Sequence, residues 1–460
     1  MSSSAPQHGA VEELVDCKLL PPRLDQRLFR HELTPVWLNT AARLTGESVE
    51  GTGDIGRVAW IGSGAWVTPA VVAAVHPSAS VHVWDPDPSV LNRVAAIGRD
   101  ASLDNMQIYG RRSAPEAGHL DLCDLVVLDG LVDSIAAGER DALITKAASL
   151  LRPGGLLAVH YRTVVGWGEV APLIRALRST IAGGTAKNHH ELLAPLQVLR
   201  SRGAAYPAVR PVVGAWLDEL LDKPAAEVID HWSADDLSPL SHAQLCRAAA
   251  VHGAEFVTSA HVYDPLTAAP PALARQVWGA PTAVLRETLS DLAVRRTQRI
   301  DLFRLGRSRV DERKRTRSVQ ALTLMPASLD VASTVGVSWA EPQPAVDRLA
   351  CRDSEASILQ ARMGSVESLR LRDMWAGKPP RQRESLARAG LGSGQLHPVV
   401  GQVAADVEEA AARLTRALAG RGRTKASRYS VVPVLGTAVP SNSVAELDED
   451  GRRALGIAAA

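Results

Sequence analysis

The sequence predicts an α/β protein with a doubly wound parallel sheet, joined to a mainly helical domain and a small α+β domain. Three observations lead to this prediction. Short apolar runs alternate with helical stretches over 57–162, which is typical of a parallel sheet covered on both faces. Helical spacing with little strand signal continues to about residue 306. The part from 311 to 460 carries one long helical pattern and a few strand-like runs.

The composition excludes several classes of protein. Lys and Arg number 51 against 50 Asp and Glu, and the net charge of +1 gives no general attraction to nucleic acid or to an anionic membrane. The chain is 46% hydrophobic and 22% charged, so wholesale disorder is excluded. Its four cysteines lie far apart without a C-x-x-C pair, which argues against a thiolate metal site and fits a reducing, cytoplasmic location. The longest uncharged run, Val58–Val75, is interrupted by glycines and Pro69 and is predicted not to span a membrane.

The N-terminal part is predicted to be helical between Leu14 and Gly46. Within it, Thr34 and Pro35 are suited to start a helix that runs through Trp37 to Leu44. In the alternating region, the predicted strands are Val58–Ile61, Val81–Trp84, Met106–Tyr109, Leu125–Leu128 and Leu156–His160. The predicted helices between them are Pro69–Val75, Ser89–Arg99 and Arg140–Leu150. This alternation of elements predicts the doubly wound sheet.

The predicted helical domain follows this sheet. Its helical stretches are Ala171–Ile181, Glu191–Arg202, Ala215–Leu221, Ser241–His252 and Thr282–Leu305. Ten Lys and Arg residues lie between Arg295 and Arg317, and we interpret this run as a solvated face, with contact to an anion as the alternative. In the last part, the helix Val403–Ala419 and the segment Tyr429–Gly456 predict a small α+β unit.

Two spaced motifs point to a nucleotide-like ligand. The first predicted strand runs into Gly62-Ser63-Gly64, where glycines let the backbone turn sharply and bring main-chain N–H groups close to a ligand. Asp85 follows the second strand, 21 residues after Gly64, about where a carboxylate meets the ribose hydroxyls of a nucleotide. The alternative is that Gly62 and Gly64 form an ordinary tight turn and that Asp85 only opens the loop after the strand. NAD is disfavoured because bulky side chains, rather than a third glycine, follow the turn.

A third motif, Leu150–Val159, contains a Pro-Gly-Gly turn between a predicted helix and a predicted strand. Together, the three motifs resemble class I S-adenosylmethionine-dependent methyltransferases over residues 57–162. The resemblance implies a Rossmann-like methyltransferase fold and S-adenosyl-L-methionine as the cofactor. It also implies that the glycine turn at 62–64 packs on the methionine part of the cofactor and that Asp85 holds the ribose.

A narrower resemblance extends beyond this region. The segment His160–Trp167 is similar to the Tyr-Asn-Thr-x-Pro-Gly-Trp segment of methyltransferases with a helical regulatory domain, a group that includes bacterial protein-lysine methyltransferases. Further short similarities to this group lie at Thr34–Leu38, Ser238–Phe256, Arg295–Arg304 and Val439–Asn442. The resemblance implies an N-terminal helical segment (1–50), a cofactor-binding methyltransferase domain (51–168), a helical regulatory domain (169–310) and a C-terminal α+β domain (311–460). It also implies a homodimer, to which the apolar helix Pro35–Leu44 would contribute.

The function that the resemblance implies is methyl transfer to a protein or peptide, with a lysine amine as one candidate acceptor. The sequence departs from the family pattern in three ways: the turn lacks its last glycine, Val165 replaces a proline, and no acid follows Tyr109. Two alternatives therefore stay open. One is a methyltransferase for a small molecule or a natural-product peptide, and the other is a catalytically weakened relative that serves as a binding or regulatory protein.

Candidate catalytic and substrate-binding residues lie at the ends of the fourth and fifth predicted strands, because strand ends in such sheets face the ligand crevice. Asp129 is the best placed acid around the fourth strand, both as a cofactor contact and as a proton acceptor. Tyr161 is predicted as a second catalytic residue, and Tyr161 and Trp167 as the lining of the substrate entrance. Packing over the sheet edge is the alternative for both aromatic side chains. The pair His189-His190 has no third partner at helical spacing, so no metal site is predicted.

Overall fold

A seven-stranded sheet forms the centre of the molecule. Its strands are β1 (Arg57–Ile61), β2 (Ser80–Trp84), β3 (Met106–Tyr109), β4 (Cys123–Asp129), β5 (Leu151–Arg162), β6 (Ala254–Ser259) and β7 (Gln298–Leu305). They lie in the order β3–β2–β1–β4–β5–β7–β6. Strand β7 runs antiparallel to both of its neighbours, and the other pairs are parallel. The predicted doubly wound α/β fold is confirmed.

The structure is a computed structural model of the chain, and helices surround the sheet. The residues that the structure describes are 28–46, 55–62, 65–110, 122–182, 189–224, 228, 237–262, 266, 269–306, 311–326, 368–392, 396–400, 403–421, 429–433 and 436–440. The α-helices among them are α1 (Pro35–Thr45), α2 (Thr68–Val75), α3 (Pro88–Asp100), α4 (Ala137–Ser149), α5 (Val164–Trp167), α6 (Ala171–Ala182), α7 (His189–Ser201), α8 (Ala205–Ala208), α9 (Pro211–Leu221), α10 (His242–Ala250), α11 (Pro271–Trp278), α12 (Ala283–Val294), α13 (Glu312–Gln320), α14 (Leu371–Met374), α15 (Pro380–Gly392) and α16 (Ala405–Ala419). Within these ranges, no helix has both the length and the apolar character needed to cross a bilayer.

The central strands are apolar on both faces. In β1, Val58 and Trp60 pack on the side of α2 and α3, while Ala59 and Ile61 pack on the side of α4. A parallel strand covered on both faces needs apolar residues at successive positions, because neighbouring side chains point to opposite sides of the sheet. This is why the first five strands could be predicted from short apolar runs.

The predicted helix Thr282–Leu305 is wrong in its second half. Helix α12 ends at Val294, Arg295 adopts a left-handed conformation (φ 49°), and the chain returns as β7. Strand β7 has a mixed sequence because Arg299 and Asp301 are buried and pair with each other inside the protein. Because of these charged residues, the sequence of β7 lacks the continuous apolar pattern that is typical of an inner strand. The segment 169–310 thus contributes β6 and β7 to the sheet, and the division of the chain into four units stays a prediction.

The basic run Arg295–Arg317 is a solvated face only in its second half. Residues 311–314 at the start of α13 are exposed. In the first half the prediction is wrong, because Arg296 and Arg299 are buried and both form ion pairs with Asp291 of α12.

The predicted Pro-Gly-Gly turn lies inside β5. The strand begins at Leu151, and its pairing with β4 shifts in register just after Cys123. Gly154 has φ +79°, and a Cβ atom on Gly155 would stand 3.0 Å from the carbonyl oxygen of Cys123. The glycines therefore form an irregularity within the strand, because the backbone of β4 approaches too closely for side chains there.

Helix α1 and the C-terminal elements belong to one apolar core on one side of the sheet. The C-terminal strands are β8 (Thr323–Pro326), β9 (Leu369–Arg370), β10 (Leu396–Pro398), β11 (Tyr429–Val432) and β12 (Thr437–Pro440). They form a three-stranded sheet and a hairpin, and α16 packs on α2 and α3. This arrangement agrees with the predicted α+β unit, whose part beyond residue 440 lies outside the described residues.

The apolar side chains of α1 are buried within the chain itself. Trp37 and Leu38 are 3% and 1% exposed, and Trp37 Nε1 donates a hydrogen bond to the carbonyl oxygen of Ala260 at 2.7 Å. The helix therefore does not offer the free apolar face that the predicted homodimer invoked. The part of the N-terminal helical prediction before residue 28 lies outside the described residues.

Candidate active site

The chain turns sharply at the end of β1. Gly62 has φ +80°, a conformation that favours glycine, and its N–H donates to the carbonyl oxygen of Trp84 at 2.8 Å. A Cβ atom on Gly62 would stand 2.8 Å from the carbonyl oxygen of Asp129. The backbone conformation and the close approach of β4 both require glycine at this position. Ser63 and Gly64, which are predicted to share the turn, lie outside the described residues.

The turn lies where the winding of the sheet reverses. Strand β1 pairs with β2 on one side and with β4 on the other. The helix that follows β1 packs on one face of the sheet, and the helix that follows β4 packs on the opposite face. In open α/β sheets such a switch point leaves a crevice at the carboxyl ends of the strands, and ligands bind there.

Asp85 directly follows β2, at the same edge of the sheet. It is 6% exposed, and its Oδ1 accepts a hydrogen bond from the Asp87 N–H at 2.7 Å. Asp87 in turn is the N-cap of α3, and its carboxylate accepts the Ser89 N–H at 2.8 Å and the Ser89 hydroxyl at 2.9 Å. The two acids therefore differ in role, since Asp87 caps a helix and Asp85 is a buried carboxylate beside the strand that leads into the glycine turn.

Asp129, at the end of β4, lies against the turn. Its Oδ2 accepts the Ala65 N–H at 3.1 Å, and its Oδ1 lies 2.9 Å from His160 Nδ1 and 3.3 Å from Arg30 Nε. Burial works to raise the pKa of Asp129, but the hydrogen bond from His160, the charge of Arg30 and the Ala65 N–H outweigh it, so the pKa lies below its ordinary value. Asp129 is thus an ionised, buried carboxylate that ties the turn to the neighbouring strand.

Sequence reasoning assigned no role to Arg30, His160 or Gln298, which complete this group. His160 Nε2 lies 3.1 Å from Gln298 Oε1 on β7. A signal for His160 exists, because it pairs with Asp129 in the register of β4 and β5, and that register follows once both strand ends are known. Arg30 gives no local signal, since it precedes α1 and is far from the turn in sequence.

The structure places Tyr161 in a different environment. Its side chain leaves β5 on the opposite face from His160, it is completely buried, and its hydroxyl donates to Asp301 Oδ2 at 2.6 Å. Burial and the charge of Asp301 raise the pKa of Tyr161 well above its ordinary value. The hydroxyl is therefore held protonated, and the structure does not bring it together with the acids at the glycine turn.

Trp167 lies in α5, directly after β5. It is 0% exposed and packs among apolar side chains of α6, α7 and α9. The guanidinium carbon of Arg162 stands 5.7 Å from the centre of its ring, within the range of a cation–π contact. This placement favours the packing alternative for Trp167, and a role in substrate binding stays a prediction.

A second group of buried charges, which we call the Arg299 cluster, joins β7 to α10 and α12. Its members are Arg299, Asp301, Asp291, Glu287 and His242. The guanidinium of Arg299 lies 2.6 Å from Asp291, 2.8 Å from Asp301 and 2.9 Å from Glu287. Burial works to raise the pKa of Asp301, but the charge of Arg299 and the contact with His242 at 2.9 Å hold that pKa below its ordinary value. In the part of the chain that the structure describes, no three metal-ligating side chains are grouped to hold an ion.

The strand order and the glycine turn at the switch point define the fold of a class I methyltransferase. Among solved structures, PKMT2 from Rickettsia typhi is similar over 90% of this chain and 85% of its own, with a TM-score of 0.60 at 12% identity. The same protein in complex with AdoHcy is similar over 91% of this chain and 86% of its own, with a TM-score of 0.61 at 13% identity. No protein-family model and no curated sequence matches the chain. At this level of identity the likeness establishes the fold.

Proposed function

We propose that this chain is an S-adenosylmethionine-dependent methyltransferase that acts on a protein or peptide. The observation that carries the proposal lies at the carboxyl edge of the sheet. There the positive-φ turn at Gly62 meets the end of β4, and the buried carboxylate of Asp85 follows the adjacent strand. The likeness to PKMT2, a protein-lysine methyltransferase, in complex with AdoHcy (S-adenosylhomocysteine) supports the same cofactor.

The residues at this edge fit the chemistry of that cofactor. Asp85 is a buried acceptor for the ribose hydroxyls, and Gly62 provides a turn without a side chain, where a ligand can lie close to the backbone. Ser63 and Gly64 are proposed to complete the contacts to the cofactor. When bound, the cofactor supplies a methyl group that is activated by its positively charged sulfur.

The contribution of the chain is then chiefly to position two reactants, which can supply much of a rate enhancement. Asp129 is in contact with Ala65, His160 and Arg30, so we assign it the role of holding the turn. The hydroxyl of Tyr161 donates to Asp301, and we assign Tyr161 the role of fixing the end of β5. Both residues that the sequence predicts as catalytic are thus proposed to act through positioning rather than as proton acceptors.

A polypeptide acceptor is favoured by the insertions at the same edge of the sheet. The segment after β5 and the segment between β6 and β7 both leave the sheet at its carboxyl edge. Helices α11 and α12, in the second insertion, expose large apolar side chains at Leu273, Trp278, Leu285 and Leu292. A contiguous exposed apolar surface marks a protein-binding region, and we propose that these two helices provide one. A lysine amine as the acceptor would in addition need to lose its proton, which a desolvated pocket favours.

The test is methyl transfer from labelled S-adenosylmethionine in the presence of a bacterial lysate, followed by mapping of the labelled product. We expect label on polypeptides, greatly reduced by Asp85→Asn and retained by Asp87→Asn, which preserves the helix cap. Label confined to small molecules would support the small-molecule alternative instead. Absence of both label and AdoHcy binding would support a binding or regulatory protein. The homodimer and the cytoplasmic location stay predictions.

A further inference from the structure

The segment before α1 is attached to the start of α2, next to the glycine turn. The N–H of Val67 donates to the carbonyl oxygen of Leu28 at 2.9 Å, and the N–H of Arg30 donates to Thr68 Oγ1 at 2.9 Å. These two bonds hold the backbone of residues 28–30 along the chain that leaves the turn. Arg30 therefore belongs to the site even though it lies in a separate part of the sequence.

The guanidinium of Arg30 is a buried positive charge at this place. Its side chain is 3% exposed, and Nε lies 3.3 Å from Asp129 Oδ1. Asp129 also receives the N–H of Ala65 and contacts His160, so its hydrogen bonding does not depend on Arg30 alone. An arginine carries five N–H donors in a planar fork that matches a carboxylate at two points.

Because Asp129 is negatively charged, an anionic ligand group could bind beside the turn only if a positive charge such as that of Arg30 offset the repulsion. A carboxylate that approached the turn would meet the negative charge of Asp129, and repulsion between buried like charges is strong because little water screens it. Arg30 offsets that charge from the adjacent position, and burial strengthens its attraction for a carboxylate in the same way.

We propose that Arg30 binds the α-carboxylate at the amino-acid end of S-adenosylmethionine, an inference that rests on the proposed function. The nucleoside end would then be held by Asp85 and the amino-acid end by Arg30, on either side of the glycine turn. Arg30 thereby determines that the site takes a ligand with an amino-acid tail rather than a nucleoside thioether alone.

Calorimetric titration with two ligands tests this directly. AdoHcy carries the amino-acid end, whereas 5′-methylthioadenosine has the same nucleoside and sulfur without it. We expect Arg30→Gln to weaken AdoHcy binding roughly ten- to a hundredfold, as for loss of a hydrogen bond to a charged group, and to leave 5′-methylthioadenosine binding within about twofold of the unmodified protein. Arg152→Gln is the matched control, because Arg152 pairs with Asp124 near the other end of β4, and it should change neither affinity.

The outcomes separate this inference from the proposed function. If the unmodified protein binds AdoHcy and Arg30→Gln leaves that affinity unchanged, or weakens both ligands equally, Arg30 does not recognise the carboxylate. If the unmodified protein binds neither ligand, the proposed function itself is overturned and the inference falls with it. Should Arg30→Gln fail to fold, Arg30→Lys serves instead: it keeps the charge but loses the fork, so a selective loss for AdoHcy supports the inference and an equal effect on both ligands contradicts it.

Discussion

Among the residues that the structure describes, two buried charge clusters contain the same residue types in different surroundings. The first, which we call the Asp129 cluster, consists of Asp129, His160 and Arg30 and contacts the backbone N–H of Ala65. The second is the Arg299 cluster. In each, a histidine Nδ1 lies 2.9 Å from an aspartate oxygen, and an arginine stands beside the same carboxylate. The residue types alone would not distinguish the two groups.

Their neighbours distinguish them. The Asp129 cluster ends on a turn at the switch point of the sheet, where a ligand crevice is expected. The Arg299 cluster joins a strand to two helices of the inserted segments. We therefore propose that the first cluster serves ligand binding and that the second holds the insertions to the sheet.

The largest expected effect is loss of stability when the Arg299 cluster is broken. Arg299→Met removes the cation that Asp291, Asp301 and Glu287 share. Removing one partner of a buried ion pair commonly costs about 3–5 kcal/mol, because the opposite charges stay buried without compensation. Chemical denaturation should show a decrease of this size in the free energy of unfolding, while AdoHcy affinity of the folded protein stays unchanged.

An exposed pair provides the control for this substitution. Arg200 contacts Asp218 through two hydrogen bonds at the surface, where ion pairs contribute little because water and salt screen them. Arg200→Met should leave the unfolding transition where it is. A selective loss of AdoHcy binding in folded Arg299→Met protein would show that the two clusters are not separate in function.

The next largest effect concerns cofactor affinity at Asp85. Hydrogen bonds to a charged group contribute about 1.5–3 kcal/mol, so Asp85→Asn should weaken AdoHcy binding roughly ten- to a hundredfold. Asp87→Asn is the matched control, since the amide keeps a capping oxygen for α3. Calorimetric titration of both variants with AdoHcy measures the two affinities. If Asp87 matters and Asp85 does not, the ribose contact lies in the loop rather than at the strand end.

The pH dependence of stability provides a further test of the Arg299 cluster. The pKa of Asp301 is held below its ordinary value, so below about pH 4, the usual pKa of an unfolded aspartate, the unfolded chain binds more protons than the native chain. Stability is therefore lost as the pH falls below about 4. In Asp301→Asn the dependence should be shallower by up to about 1.4 kcal/mol per pH unit. The free energy of unfolding of both proteins is measured at several pH values between about 5 and 3. Equal slopes in the two proteins would contradict this prediction.

The smallest effect is expected at the helix cap. Asp87→Ala removes the acceptor of the Ser89 N–H and should cost about 1 kcal/mol of stability. Because Asp87 caps α3 and is exposed, cofactor affinity should change far less than in Asp85→Asn. Thermal unfolding and titration of the same sample measure both quantities. Equal losses of affinity in the two variants would mean that the loop acts as one unit.

Local patterns in the sequence predict much of this fold. The first five strands are short apolar runs. Two of the helices between them have a proline in the first turn: Pro69 in α2, and Pro88 in α3, which Asp87 caps. The sequence pattern does not predict β6 or β7. In β7 the reason is that the inner residues Arg299 and Asp301 satisfy each other only after the chain has folded. A pattern of hydrophobicity cannot show such pairing.

The sequence predicts only part of the candidate site. Gly62 and Asp85 lie at the carboxyl edge of the sheet, where the spacing of the motifs predicted them. Arg30 reaches the site through the tertiary fold, and Tyr161 is turned away from it by the alternation of side chains along β5. The face on which a strand-end side chain lies depends on where the strand begins, and the irregularity at the glycines of β5 obscures that register.

Calorimetric titration of the unmodified chain with AdoHcy tests the central claim most directly. A class I methyltransferase that binds its cofactor through the turn at Gly62 and through Asp85 should bind one AdoHcy per chain with a micromolar dissociation constant. Absence of binding at millimolar concentrations of AdoHcy, in a protein shown to be folded by its cooperative unfolding, would contradict the account and would leave a methyltransferase fold used for another purpose.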